Sequence, residues 1–248
     1  MEFDKLFSGA LEDNLNKYFP FLMEIRKRLL FIAAIFFLSA MFGFFYYERI
    51  ITLILSLLQL AKVNIAFTSP FQFFTLSINS GIMVGLIISF PLILYQVMSF
   101  LKPALTKKEY KTILTLIPVT MVLFAFGFIY GVAIMKYVLT IFYQKSVELN
   151  IGTLLDINLL FSKIVMTGIL LGMAFQFPVV MTILMRLKVI KYKVFIKQRF
   201  LAYTVAIVFA AMLPPTDILS LLFMTLPLVM LFELTLILNK IVLKSHIL

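Results

Sequence analysis

Residues 72–111 read QFFTLSINSGIMVGLIISFPLILYQVMSFLKPALTKKEYK. From Gln72 to Phe100 there is no charged residue, whereas Lys102, Lys107, Lys108 and Lys111 follow within one short loop. An uninterrupted apolar run of roughly 20 residues suffices to cross the hydrocarbon of a bilayer as a helix. The stretch therefore predicts a long transmembrane helix, tilted or projecting beyond the hydrocarbon, that ends in a basic loop. Glu109 is the lone carboxylate on that loop. At the mouth of a membrane protein it is well placed to bind a cationic peptide.

The rest of the chain repeats this alternation. Of its 248 residues 63% are hydrophobic and 13% charged, and the mean hydropathy is +1.10. A soluble domain of this composition would expose too much apolar surface. No segment alternates as the strands of an outer-membrane barrel do. The expected class is an all-α integral membrane protein, a single polytopic domain over 1–248. Six transmembrane helices are expected, at about 29–47, 72–100, 113–134, 158–185, 201–215 and 218–238. The fifth and sixth read as short, separated by Pro214-Pro215-Thr216-Asp217, and as a pair that need not cross the full thickness. Pro70, Pro91, Pro118, Pro178 and Pro227 fall in or near spans, which suggests a kinked, concave bundle.

Charge orients the chain. Lys and Arg crowd the segment 1–28, the loop after the second span, the segment 186–199 and the tail 239–248. The opposite loops hold only Arg49, Lys62, Lys136 and Lys145, with Lys163 just inside a span. The positive-inside rule then places both termini in the cytoplasm. No cleavable leader is read in Met1–Tyr18, so the first span is expected to act as the insertion signal. Residues 50–60 are expected to lie along the outer interface as a helix, and 137–155 to form a small cap. The net charge of +11 belongs to this topology and does not indicate nucleic-acid binding.

Several chemistries are excluded. There is no cysteine, and the single histidine is His246. A His-based metal site and a Ser-His-Asp triad are therefore not expected. No phosphate-binding loop is present. No cofactor and no enzymatic activity are expected.

Four stretches carry a family resemblance. Phe21-Leu-Met-Glu24-Ile-Arg26-Lys-Arg28-Leu-Leu resembles an N-terminal His-Leu-x-Glu-Leu-Arg-x-Arg-Leu motif. Phe90-Pro91 through Tyr95-Gln96 and Phe100 to Pro103-Ala104-Leu105, followed by Glu109, resembles a second span with its loop. Gly172-Met-Ala-Phe175-Gln176-Phe177-Pro178 resembles a fourth-span Phe-Glu-x-Pro motif. Pro215-Thr216-Asp217 with Ser220, Pro227 and Phe232-Glu233 resembles a final hairpin. In this order they resemble TatC, the multi-spanning receptor subunit of the twin-arginine protein translocase. Phe21 replaces the family histidine, and Gln176 replaces an intramembrane glutamate.

The resemblance implies a membrane subunit of protein export in the bacterial cytoplasmic (inner) membrane. It would recognise twin-arginine signal peptides of folded precursors. It would assemble with single-span subunits of the TatA/TatB type as a hetero-oligomer. Glu24 and Glu109, with Arg26 and Phe100, would bind the signal peptide, and Tyr95 and Gln96 would line the same surface. Paired carboxylates suit this task because guanidinium is a planar donor that matches them bidentately, which lysine cannot do. Glu24 also stands four residues before Arg28, and Glu109 beside Lys107 and Lys108, so by the residues alone ordinary surface ion pairs are the competing reading, and the resemblance favours signal binding, more for Glu109 than for Glu24.

Gln176 and Pro178, with Glu233 and Asp217, form the intramembrane polar and partner-binding set. Gln176 can serve a partner helix or a helix–helix bond within the chain. Glu233 and Lys163 are ionisable groups within spans, functional by default, although Lys163 can snorkel outward. Asp217 suits the cap of the last helix. Gly81/Gly85, Gly127/Gly131 and Gly168/Gly172 form three GxxxG pairs, suited to internal packing or to oligomer contacts. The same polar set motivates a rival reading, a small-solute or ion transporter. A third is a scaffold that has lost transport.

Overall fold

The computed structural model describes residues 2–58, 64–102, 105–152 and 154–242. Within these, side chains are not described for 2–18, 20, 64, 98, 101, 108, 109, 112, 113 and 242. The motif residues Pro103 and Ala104, and the tail from 243, lie outside the described residues.

The order is α1 (Glu2–Phe45), α2 (Tyr47–Leu58), β1 (Asn64–Ala66), α3 (Gln72–Leu101), α4 (Lys107–Leu114) and α5 (Ile117–Glu148). Then come β2 (Leu154–Asp156), α6 (Ile157–Ala174), α7 (Phe177–Arg186), α8 (Tyr192–Lys197), α9 (Arg199–Ala211) and α10 (Ile218–Val242). Among the described residues five segments are long and apolar enough to span a bilayer: Phe21–Phe45, Gln72–Val97, Ile117–Glu148, Ile157–Arg186 and Ile218–Ile241. α9 is the shorter sixth apolar helix, with 13 residues.

The boundaries depart from the sequence reading in four places. First, α1 is continuous from Glu2, so the polar segment is helical too. Second, α5 runs on to Glu148, which leaves only 149–156 for the expected cap. Third, the fourth span is two helices. Pro178 has no N–H to continue the ladder, and the chain breaks at Phe175-Gln176 before restarting with Pro178 in the first turn of α7. Fourth, α10 is not short. It has 25 residues, because apolar sequence continues on both sides of Lys240, whose long stem can carry its charge outward.

α1 packs chiefly on α3, and α5 on α6. Glycine sets both distances. A Cβ on Gly81 would stand 2.7 Å from the Ala40 carbonyl oxygen, and one on Gly131 would stand 2.8 Å from the Gly168 Cα. The GxxxG pairs thus serve internal helix packing. α2 is a helix, as expected, and buries Ile51, Ile54 and Leu58 against the α3–α6 core.

α9 and α10 do not reach the far end of the bundle. Their connection meets α6 at Thr167, whose hydroxyl donates to the Pro214 carbonyl at 2.7 Å. Thr167 is ten residues into α6, so the turn stops about 15 Å short of the α6 start at 1.5 Å per residue. Pro227 sits inside α10 and frees the carbonyl of Phe223 four residues earlier. The Tyr130 hydroxyl takes up that carbonyl at 2.8 Å, as a proline-bearing span requires in a medium without water.

At the end opposite the basic loops, β1 and β2 pair in parallel, with Ala66 facing Asp156. These two short strands are not visible in the sequence pattern. Asp156 caps α6 by accepting from the Asn158 and Leu159 amides at 2.8 and 3.0 Å, and it also accepts from the Thr68 hydroxyl and the Gln72 amide. The Thr68 hydroxyl, then the Leu159 amide, hold its carboxyl below the ordinary value of 3.8. A depressed native value means that its contribution is complete above about 4 and is lost as pH falls through the native value. Thermal melts of the detergent-solubilised protein should therefore fall on acidification below about pH 4, and more weakly in Asp156→Asn. An identical acid profile in the variant would remove Asp156 as the cause.

Candidate functional site

At the basic end, the last turns of α3 meet α1. Arg28 donates from Nε and Nη2 to Glu24 Oε1 at 3.1 and 2.5 Å, and from Nη1 to the Gln96 carbonyl and Gln96 Oε1 at 3.1 and 2.8 Å. One guanidinium thus ties the two helices together and fixes the Glu24 carboxylate beside α3. Among the described residues only one Glu24 oxygen is used, and the side chain is 42% exposed. The i,i+4 pair was legible in the sequence, but the bond to Gln96 was not.

The other residues of this end fall around that clamp. Phe100 is half-buried, one helical turn beyond Gln96, and Tyr95 is exposed. Arg26 is exposed. Two residues from Glu24, it projects to another side of α1. α4 packs on α3 and carries Glu109 as its third residue. The Glu109 and Lys108 side chains lie outside the described residues. The Lys102 ammonium stands 5.5 Å from the Tyr110 ring centroid, a cation–π contact that links the α3 end to α4.

Within the spans, Gln176 sits at the α6–α7 break and is buried. Its amide nitrogen donates to the carbonyls of Thr120 and Gly172, both at 3.2 Å, joining α5 to the end of α6. Its Oε1 is buried without a partner, an unsatisfied acceptor of the kind that costs free energy in a low-dielectric site. Glu233 accepts from the Tyr203 hydroxyl at 2.5 Å and pairs with Arg199 at 3.3 Å. It lies level with the first residue of α9. Asp217 caps α10, accepting from the Ser220 amide at 2.8 Å and hydroxyl at 2.5 Å. Lys163 is exposed, six residues into α6. Nothing in the sequence spacing pointed to Tyr203 or Arg199 as partners of Glu233.

This arrangement matches known proteins over nearly its whole length. The family model "Sec-independent protein translocase protein (TatC)" matches residues 20–227. The chain belongs to the TatC family. TatCy of Bacillus subtilis is 32% identical over 221 residues, covering 88% of this chain and 86% of that protein. TatC of Listeria innocua is 31% identical over 226 residues, covering 88% and 89%. A crystal structure of the twin-arginine translocase receptor TatC in the detergent DDM superposes with a TM-score of 0.77 at 26% identity. It covers 88% of this chain and 99% of that one. TatC is a multi-pass membrane component of a protein translocase, not an enzyme family. Gln176 is the residue whose amide pins the α6–α7 break to α5.

Proposed function

We propose that this chain is the receptor subunit of a twin-arginine protein export system. Its basic end faces the cytoplasm, both termini lie on that side, and the membrane is the bacterial inner membrane. Positive charge concentrated at that end supports the orientation. There it binds the paired arginines of precursor signal peptides, through Glu24 on α1 and Glu109 on α4, with Phe100 and Arg26 flanking. The observation that carries this reading is the Glu24 carboxylate. Arg28 anchors it from one side, yet it stays half exposed with its second oxygen open. A carboxylate has room for a further guanidinium.

The intramembrane set supports assembly rather than transport of a small solute. Lys163 lies near the start of α6, Gln176 at the α6–α7 break and Glu233 beside the start of α9, and among the described residues none of them shares a hydrogen bond or ion pair with another. Gln176 Oε1 is a buried acceptor without a partner among the described residues, and a donor from a single-span TatA/TatB-type subunit would reach it, with Pro178 beside it, once the α6–α7 break opens. Asp217 caps the start of α10, and Glu233 lies sixteen residues further on, tied to α9 by Tyr203 and Arg199. The functional unit is then a hetero-oligomer in the bilayer.

Photo-crosslinking from position 108, replaced by a photoreactive residue, tests the receptor reading. An Arg-Arg signal peptide should label, its Lys-Lys counterpart should label about tenfold less, and Glu109→Gln should abolish the difference. Equal labelling by both peptides, or none by either, would reject arginine recognition at this loop.

A further inference from the structure

An apolar site lies on a face of α7, α9 and α10 that also includes Pro178 of the polar set above. A cleft of about 160 Å³ opens there, lined by Phe177, Ala202, Ala206, Phe209, Leu228 and Phe232, with almost no polar surface. It opens outward, since Phe177 at its edge is 43% exposed. On α9 the residues Ala202, Ala206 and Phe209 form one helical stripe, and Arg199 stands one turn before Ala202 on that same stripe.

Arg199 closes a strongly basic segment. Arg186, Lys188, Lys191, Lys193 and Lys197 precede it with no acidic residue between. Lys188, Lys191, Lys193 and Lys197 are exposed, and among the described residues they form no ion pair. Among the described residues the one ion pair that offsets this charge is Arg199–Glu233. α8 presents Lys193 and Lys197 outward because Tyr192 and Phe195 pack inward on the Met181, Met185, Phe232 and Leu236 cluster.

An apolar slot open to the bilayer, with the Glu233-paired Arg199 on its α9 stripe and the exposed Lys193 and Lys197 just before it in the chain, is complementary to one kind of molecule. The geometry points to an anionic phospholipid bound here, with an acyl chain in the α7–α9–α10 cleft and its phosphate held by Arg199, Lys197 and Lys193. A zwitterionic lipid offers the same chain but no net charge to these cations. Free phosphate offers the charge but nothing for the cleft.

Native mass spectrometry of the full chain in detergent, with added phosphatidylglycerol or phosphatidylcholine of identical chains, tests the site. Each cation near the surface strengthens binding of an anionic lipid about fivefold. Phosphatidylglycerol should therefore be retained over phosphatidylcholine, and K193Q/K197Q should lower its retention about 25-fold. Glycerol phosphate should not displace it. A206W, which fills the slot, should lower retention of both lipids. Equal retention of the two lipids by the unaltered chain would overturn the proposal, as would full phosphatidylglycerol retention in a folded A206W. Should A206W fail to fold, a diazirine-tailed phosphatidylglycerol decides the matter on the unaltered chain. Labelling at Ala206, Phe209 or Leu228 supports the site, and labelling only elsewhere overturns it. A single-span partner helix occupying the cleft in the purified complex, with no lipid retained, overturns it as well.

Discussion

Gly131→Leu is expected to leave no folded protein in detergent, whereas Gly152→Leu is expected to melt like the parent. The first Cβ atom already decides the outcome. At position 131 it would lie 2.8 Å from the Gly168 Cα, 3.0 Å from the Gly168 nitrogen and 3.0 Å from the Thr167 carbonyl oxygen. All three are backbone atoms of α6, so no rotamer change relieves the clash, and α5 must move away from α6. Overpacking in a close-packed core costs about 1–3 kcal/mol for extra methylenes that side chains can partly accommodate. Here the backbone itself has to shift along a seam where a Cβ on Gly127 would likewise stand 2.9 Å from the Gly172 Cα. Separating these helices also weakens the packing that holds transmembrane helices together without a hydrophobic driving force.

The other glycines set a gradation. At Gly168 the nearest atoms belong to the Phe128 ring at 2.9 Å, and at Gly172 to the Phe124 ring at 3.0 Å. Alanine at either should cost less than alanine at 131, because a side chain can yield. At Gly152 there is nothing within 4 Å. Thermal unfolding followed by size-exclusion chromatography ranks all four positions. A Gly131→Leu protein that elutes and melts like the parent would show that α5 and α6 do not depend on this contact.

The sequence made the spans legible because membrane insertion leaves a plain signature. Long apolar runs and basic flanks follow from burying backbone in a medium without water. The break at Gln176 was less legible, since Pro178 tells where a ladder fails but not whether a helix kinks or restarts. Pro91 and Pro227 remain inside continuous helices. Pro178 does not, and Gln176 spends its amide on carbonyls of two helices at that point. Side-chain partners were the least legible layer. Glu233 meets Tyr203 across 30 positions and Arg28 meets Gln96 across 68. Neither separation carries a periodicity from which a contact can be inferred. Local pairs such as Glu24–Arg28 and the Asp217 cap were legible, because helical geometry fixes which neighbours meet.

Glu24 and Arg28 are expected to separate cleanly into a functional and a structural residue. Arg28→Leu removes all four hydrogen bonds of the α1–α3 clamp. It leaves Glu24 without its cation and the Gln96 side chain without its donor. Bonds to charged groups are worth about 1.5–3 kcal/mol, and this guanidinium is only 21% exposed, so the melting temperature should fall markedly. Glu24→Gln leaves Arg28 its two bonds to Gln96. A half-exposed ion pair contributes about 0–1 kcal/mol, so this variant should melt almost like the parent. Its affinity for an Arg-Arg signal peptide should fall about tenfold, the equivalent of one charge-assisted bond of about 1.4 kcal/mol. Binding of a Lys-Lys peptide should change less, because lysine never gains the bidentate contact. Paired melts and peptide titrations on the two variants distinguish the roles. If Glu24→Gln melts as low as Arg28→Leu and binds the Arg-Arg peptide as the parent does, Glu24 serves only to hold Arg28, and recognition must rest on Glu109 and α4.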